Sequence, residues 1–289
     1  MLSQVTDGGL ETDLLFHKGI DLPEFAAFPL VESDPKVLLD YYADYAAIAQ
    51  AVQVGLVLET PTWRANPDWG AKVGYSPADL ARINAAAVDL VRRVAADNLT
   101  VSGCVGPRGD GYVAAGSIAE EAADYHLPQV QAFAAAGADV VHAMTLNEVA
   151  EAIGVVQAAR SAGVPVGISF TVETDGRLPD GTGLADAITA VDAVAAPDWY
   201  GLNCAHPTHV LPALDGGAWQ ARLQLFRPNA STMTHEELDA MEVLDEGDRD
   251  LLSSATADLL QRVPSITTLG GCCGTDASHV AALWGWHRD

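Results

Sequence analysis

Short apolar, β-branched runs alternate along this chain with longer alanine-rich stretches whose apolar positions recur at helical spacing. The runs predict strands at Val5–Asp7, Val54–Glu59, Thr100–Val105, Asp139–Met144, Val166–Phe170, Tyr200–Asn203, Arg222–Phe226 and Ile266–Gly270. Between them the period predicts helices over 35–52, 77–97, 118–136, 147–162, 183–195, 206–215 and 248–262. A strand followed by a helix, repeated in this way, implies a parallel sheet. Eight such units predict an α/β fold, a single (β/α)8 TIM barrel over residues 1–289.

An open doubly wound sheet is the alternative, and it normally carries a G-x-G-x-x-G turn after an early strand. The nearest segments, Asp7-Gly8-Gly9 and Gly103-Cys104-Val105-Gly106-Pro107, do not match that pattern. No linker, low-complexity tract or internal repeat divides the chain. The longest irregular stretch runs from Asn229 to about Asp250 and is rich in acids. Loops of that length usually hold a short helix or cover a site. Thr234-His235-Glu236-Glu237 reads as a helix start with Thr234 as N-cap. The stretch is either a lid or a solvated insertion.

Composition narrows the possible partners. Fifteen basic against 39 acidic residues leave a net charge of -24, which repels nucleic-acid phosphates and anionic lipid headgroups. No uninterrupted apolar run approaches the ~18 residues of a membrane span. The start, MLSQVTDGGLETDLL, lacks the basic-then-apolar pattern of a secretory signal, so the expected compartment is the cytoplasm. Small-molecule partners are expected, with no nucleic acid and no membrane.

Four cysteines are too few to staple 289 residues, and two of them, Cys272 and Cys273, are adjacent. In a reducing compartment such clustering signals metal binding or catalysis. The sixth predicted strand ends in Gly201-Leu202-Asn203-Cys204 and the eighth in Leu269-Gly270-Gly271-Cys272-Cys273-Gly274-Thr275. In a barrel both ends lie at the C-terminal face, where catalytic groups collect. Successive strand side chains point to opposite faces, so two adjacent inward cysteines require the strand to have ended, and the flanking glycines permit that turn. Cys204, Cys272 and Cys273 are therefore the expected ligands of one Zn²⁺, with a fourth position left for an exchangeable group. A free thiol has a pKa of ~8.5, and at such a metal it becomes a nucleophile. A redox disulfide and small buried hydrophobes are the competing readings of these residues.

At these residues the chain resembles the homocysteine S-methyltransferases. GLNC at 201–204 and GGCCGT at 270–275 resemble the two zinc motifs of that family. Asp7-Gly8-Gly9-Leu10-Glu11-Thr12 resembles its opening segment, Gly103-Cys104-Val105-Gly106-Pro107 its GS-I/V-GP turn, and Arg227-Pro228-Asn229-Ala230 its Y-P-N-S/A segment. The resemblance spans nearly the whole chain. It implies a (β/α)8 barrel, one zinc held by Cys204, Cys272 and Cys273, and methyl transfer to homocysteine sulfur. It also implies that Asp7 and Asn229 lie in segments lining the homocysteine pocket.

The chain departs from the family at three places. Met144-Thr145-Leu146-Asn147 stands where E-T-x-P is usual, so Met144 replaces a Glu that holds the substrate amino group. Glu59-Thr60-Pro61-Thr62-Trp63 replaces a T-T/A-N/S-x-[FY] run. Glu59 and Glu173, both near predicted strand ends, are the candidates for the missing charge. Cys104 takes the place of a Ser, either as a small buried residue or as an approach to the metal's fourth position.

Other residues carry weaker signals. Glu11 and Asp13 follow the first strand and can shape the site floor or face solvent. His206 and His209 have a ligand-like spacing, although three thiolates already supply a catalytic zinc's protein ligands. Trp63 and Trp69 can face a cationic donor or pack a loop onto the barrel rim. Of Glu173 and Asp175, one can meet an ammonium. The expected reaction forms methionine from homocysteine and an onium donor. S-methylmethionine is favoured, since nothing suggests a cobalamin or folate domain. The rival classes are transfer to another small thiol, a zinc hydrolase, and a non-catalytic metal or redox-sensing protein.

Overall fold

The computed structural model describes residues 1–286. Eight parallel strands close into a barrel in the order β1 to β8, each paired with its sequence neighbours and β1 with β8. They are β1 Gln4–Thr6, β2 Gly55–Glu59, β3 Leu99–Val105, β4 Val140–Leu146, β5 Val166–Phe170, β6 Trp199–Asn203, β7 Leu223–Arg227 and β8 Thr268–Leu269. This is the predicted (β/α)8 barrel. Every predicted strand is present, with ends shifted by one or two residues or, at the start of β8, trimmed.

Helices Pro35–Val52, Pro77–Arg92, Ala119–Ala135, Val149–Ala162, Leu184–Val194 and Arg249–Arg262 surround the sheet. Each start has a local cause where the chain supplies one. Ser76 and Asp79 form a capping box at the second of these helices, with Pro77 at its first position. The second helix stops at Arg92 rather than 97, with Arg93 as its C-cap.

Two of the elements that differ from the sequence reading follow β6 and β8. The helix expected over 206–215 is a single turn, Pro207–Val210, followed by a 3₁₀ turn, Leu211–Ala213. Pro207 and Pro212 can start such turns, but Pro212 cannot donate to a continued ladder, and Gly216-Gly217 ends the segment. A further helix, Ala277–Leu283, was not anticipated. Asp276 caps it, accepting from Ser278 N and His279 N at 2.8 and 3.0 Å. Trp284 then donates to the Leu269 carbonyl at 3.1 Å and ties the helix end to β8.

Burial opposes ionisation of Asp276, but hydrogen bonds from His279 and Ser278 outweigh it and hold the carboxyl well below the usual range. A depressed folded pKa stabilises above the unfolded value and loses that contribution as pH falls. Asp276→Ala is expected to cost about 1 kcal/mol in urea unfolding at neutral pH. The gap should narrow below about pH 4, where the unfolded carboxyl also protonates.

The barrel interior and the strand–helix layer form one continuous apolar core. No helix among the described residues is long and apolar enough to cross a membrane.

Candidate metal centre

The C-terminal ends of the strands surround a cavity of about 390 Å³, within the size range of small-molecule sites. Three cysteines meet in its wall. Cys204 follows β6 with φ of 53°, in the left-handed region that a non-glycine residue rarely adopts. The strain is held by backbone bonds on both sides. Cys204 N donates to the Arg227 carbonyl at 3.2 Å, while Thr171 Oγ1 and His235 Nε2 donate to the Cys204 carbonyl at 3.2 and 2.7 Å. Such over-determined strain marks functional positions.

After β8 the backbone turns as the paired cysteines require. Gly271 N donates to the Asp7 carbonyl at 2.9 Å and Cys272 N to the Pro228 carbonyl at 2.8 Å. Gly274 has φ of +77° and donates to Thr12 Oγ1 at 3.1 Å. Both cysteines thereby reach the cavity. The three Sγ atoms lie within 4.8 Å of one another, and Cys204 and Cys273 Sγ are 3.8 Å apart. Cys204 and Cys272 are joined as a disulfide across Cα atoms 5.4 Å apart. Cys273 is free, and burial pushes its thiol up to about 11, with Glu11 adding to the effect against a hydrogen bond from Tyr112. Asn203 Nδ2 approaches Cys272 Sγ at 3.6 Å while also donating to Thr145 Oγ1 at 2.8 Å.

A buried polar network lies under the sulfurs. Arg227, at the end of β7, donates Nε to the Gly271 carbonyl at 2.9 Å and Nη2 to the Gly8 carbonyl at 2.9 Å. Its Nη1 reaches Thr6 Oγ1 at 3.2 Å and Asp7 Oδ1 at 2.7 Å. Burial nevertheless raises the Asp7 pKa, Arg227 opposing it and Glu59 adding to it. Glu59 Oε1 pairs with His142 Nδ1 at 2.7 Å, and His142 Nε2 meets Ser169 Oγ at 2.6 Å. Glu59 Oε2 and Asn229 Oδ1 are buried without a partner among the described residues. Both residues line the cavity, so two acceptor oxygens await a donor.

The structure sorts the remaining candidates. Asp7, Glu11, Glu59, Trp63, Cys104, Met144 and Asn229 all line the cavity. Burial pushes the Glu11 carboxyl up to about 7. Glu173 is not in the wall. It binds His235 Nδ1 at 2.8 Å, and His235 in turn holds the Cys204 carbonyl. Cys104 is buried in β3 and stands outside the three-sulfur cluster. His206 and His209 also stand outside it. They bond to Thr208 Oγ1 at 2.7 Å and the Thr232 carbonyl at 3.0 Å, and burial lowers the His206 pKa to about 4. Asp13 binds His17 at 2.9 Å, and Asp175 accepts from Arg177 N at 3.0 Å. Trp69 donates to the Gly109 carbonyl at 3.3 Å outside the cavity wall.

The acidic stretch after β7 covers the site. Thr234 caps a short helix, His235–Asp239, with Glu237 completing a capping box, and Leu238, Asp239 and Met241 join the cavity wall. Tyr112 stacks on the His235 ring with centroids 3.9 Å apart and planes at 17°. Sequence reading did not single out Tyr112, His142 or Arg64, because each owes its place to partners on distant strands and loops. A tyrosine in a glycine-rich loop after a barrel strand was the available signal for the first.

The family model for homocysteine S-methyltransferase matches residues 4–285. Homocysteine S-methyltransferase of Escherichia coli (strain K12) is 27% identical, the alignment covering 96% of this chain and 93% of the relative. Homocysteine S-methyltransferase YbgG of Bacillus subtilis (strain 168) is 23% identical over 98% and 94%. The metallated crystal form of the homocysteine methyltransferase MmuM from Escherichia coli superposes with a TM-score of 0.78 at 21% identity, covering 99% and 96% of the two chains. Its oxidized form gives 0.78 at 22% identity, covering 98% and 95%. These two likenesses show a shared barrel. The family match takes in all eight strands and both cysteine segments, and the chain belongs to the homocysteine S-methyltransferase family.

Proposed function

We propose that this enzyme methylates homocysteine from an onium donor, S-methylmethionine foremost, with Zn²⁺ held by Cys204, Cys272 and Cys273. The observation that carries the reading is the convergence of three cysteine sulfurs in a cavity that also presents unpartnered acceptor oxygens. The donor set suits zinc. Metal–sulfur bonds of ~2.3 Å at a tetrahedral centre separate two sulfurs by about 3.8 Å, which is the Cys204–Cys273 spacing. The other ligand pair must be reduced before it can bind. When bound, zinc supplies the field that lets an entering thiol react as thiolate near neutral pH.

The protein's own residues handle the rest of the substrate. Glu59 Oε2 and Asn229 Oδ1 are the acceptors left for the homocysteine ammonium, and Met144, also in the wall, offers it no charge. Asp7 is held by Arg227 and keeps the floor of the site in place. The covering helix and Tyr112 narrow the water-accessible space around the sulfurs. The thiolate sulfur attacks the methyl carbon as the carbon–sulfonium bond breaks. The electron pair stays on the departing sulfur, which becomes a neutral thioether, and the thiol proton goes to solvent. Homocysteine and S-methylmethionine thus give two methionines. Little beyond alignment of the two sulfurs is needed.

The direct test is methionine formation by reduced, zinc-loaded protein from homocysteine with S-methylmethionine, compared with glycine betaine. Methionine from S-methylmethionine supports the proposal, and failure with both donors rejects it. A second expectation concerns the sulfurs alone. Zinc should bind only to the reduced protein, at about one per chain. Equal zinc uptake by a Cys204→Ala variant would contradict the ligand assignment.

A further inference from the structure

Amino-acid substrates bring carboxylates into the cavity, and among the described residues two cationic side chains line it, Arg227 and Arg64. Arg227 is consumed. Its guanidinium already serves the Gly271 and Gly8 carbonyls, Thr6 Oγ1 and Asp7. Arg64, in the loop after β2, is not. Among the described residues its hydrogen-bond partner is the Glu24 carbonyl, through Nη1, and its buried Nε has none.

The group is nonetheless held firmly in place. Its central carbon lies 3.9 Å from the Trp69 ring centroid, 5.2 Å from Trp63 and 5.7 Å from Phe25. Packing against aromatic faces leaves the guanidinium edge free to donate, and a fork of parallel N–H groups matches a carboxylate.

Its position separates it from the acceptor. Asp7, Glu59, Cys204 and Asn229 are buried, whereas Arg64 is half-buried. The fields of Glu11, Asp110 and, from the covering helix, Asp239 reach it there, although none forms an ion pair with it. The outer cavity thus offers a guanidinium with an unpartnered Nε beside acidic groups, the pattern that complements a zwitterion with a cationic centre and a carboxylate. We infer that Arg64 binds the carboxylate of the methyl donor and selects zwitterionic onium compounds over simple onium cations. This inference rests on the methyl-transfer reading above.

The test compares wild type, Arg64→Gln and Arg64→Lys with two sulfonium compounds, S-methylmethionine and trimethylsulfonium, which lacks a carboxylate. Trimethylsulfonium is followed as donor or as competitive inhibitor, at saturating homocysteine. In Arg64→Gln the KM for S-methylmethionine should rise about 10–100-fold, the loss of a charge-assisted hydrogen bond. The homocysteine KM, kcat and all trimethylsulfonium constants should stay within about twofold. Arg64→Lys should fall between, keeping the charge without the fork. Equal losses with both sulfonium compounds, or a raised homocysteine KM, would overturn the inference while leaving methyl transfer standing. Should wild type form no methionine, the methyl-transfer reading fails. Calorimetric titration with S-methylmethionine and glycine betaine then decides on Arg64 alone. Weaker binding to Arg64→Gln supports the inference, and equal binding or none to wild type overturns it.

Discussion

Cys273→Ala is expected to lose metal and methyl transfer together, with metal affinity falling by more than about 100-fold. That exceeds the ~10–100-fold typical of changing a partner outside the ligand set. Cys273 is the free member of the cluster, 3.8 Å from the Cys204 sulfur. Burial pushes its thiol up to about 11, so it stays protonated near neutral pH. A metal is what converts it to thiolate, and once it is removed the two remaining sulfurs form an incomplete site. Asn203→Ala provides the graded comparison. Asn203 touches Cys272 Sγ at 3.6 Å but donates no metal ligand in this account, so its loss should be partial. Zinc content after dialysis against a chelator, measured beside methionine formation, separates the two variants. Retention of zinc by Cys273→Ala would remove that residue from the ligand set.

Arg227→Met should destabilise the fold more than any other single change considered, by about 3–5 kcal/mol, as is usual when one partner of a buried ion pair is removed. Asp7 would stay buried with its strongest counter-charge gone, and Glu59 would lose a cation 3.9 Å away. The carbonyls of Gly8 and Gly271 would lose their donors as well. These residues lie in the turns that follow β1 and β8, so the cysteine segment loosens with them. The pH dependence has a definite sign. A carboxyl whose folded pKa exceeds its unfolded value holds its proton more tightly when folded, so stability declines as pH rises from the unfolded value. Arg227 opposes the burial that raises Asp7, and removing it pushes Asp7 further up. The variant should therefore lose stability more steeply than wild type between about pH 4 and 7. Urea midpoints across that range give the comparison. Adding Asp7→Asn should recover part of the loss, since it removes the uncompensated charge.

The elements legible in the sequence were those specified locally. Apolar runs such as Val166–Phe170 are buried on both faces of a parallel sheet and need no partner to be recognised. The cysteine cluster was legible for a similar reason. Each half is a short strand-end motif, and barrel geometry alone brings the two halves to one face. Helix 206–215 failed because its apolar spacing masked two prolines. Ala277–Leu283 escaped because seven residues and one cap give too little period to read.

Side-chain partnerships across the barrel lay out of reach. Asp7 meets Arg227 across 220 positions, and Glu59 meets His142 across 83. No local pattern encodes such pairs, because closing the sheet creates them. Glu173 illustrates the cost. A strand-end acid looked like a substrate contact, yet its partner is His235 on the covering segment.

The central claim is that a metal on Cys204, Cys272 and Cys273 turns the substrate's thiol into the nucleophile. Proton release on homocysteine binding measures that step without a methyl donor. In weakly buffered solution near pH 7, where a free thiol of pKa ~8.5 is mostly protonated, zinc-loaded protein should release about one proton per homocysteine bound. Protein reduced but stripped of metal should release none. Stoichiometric binding to zinc-loaded protein with no proton released would contradict the account.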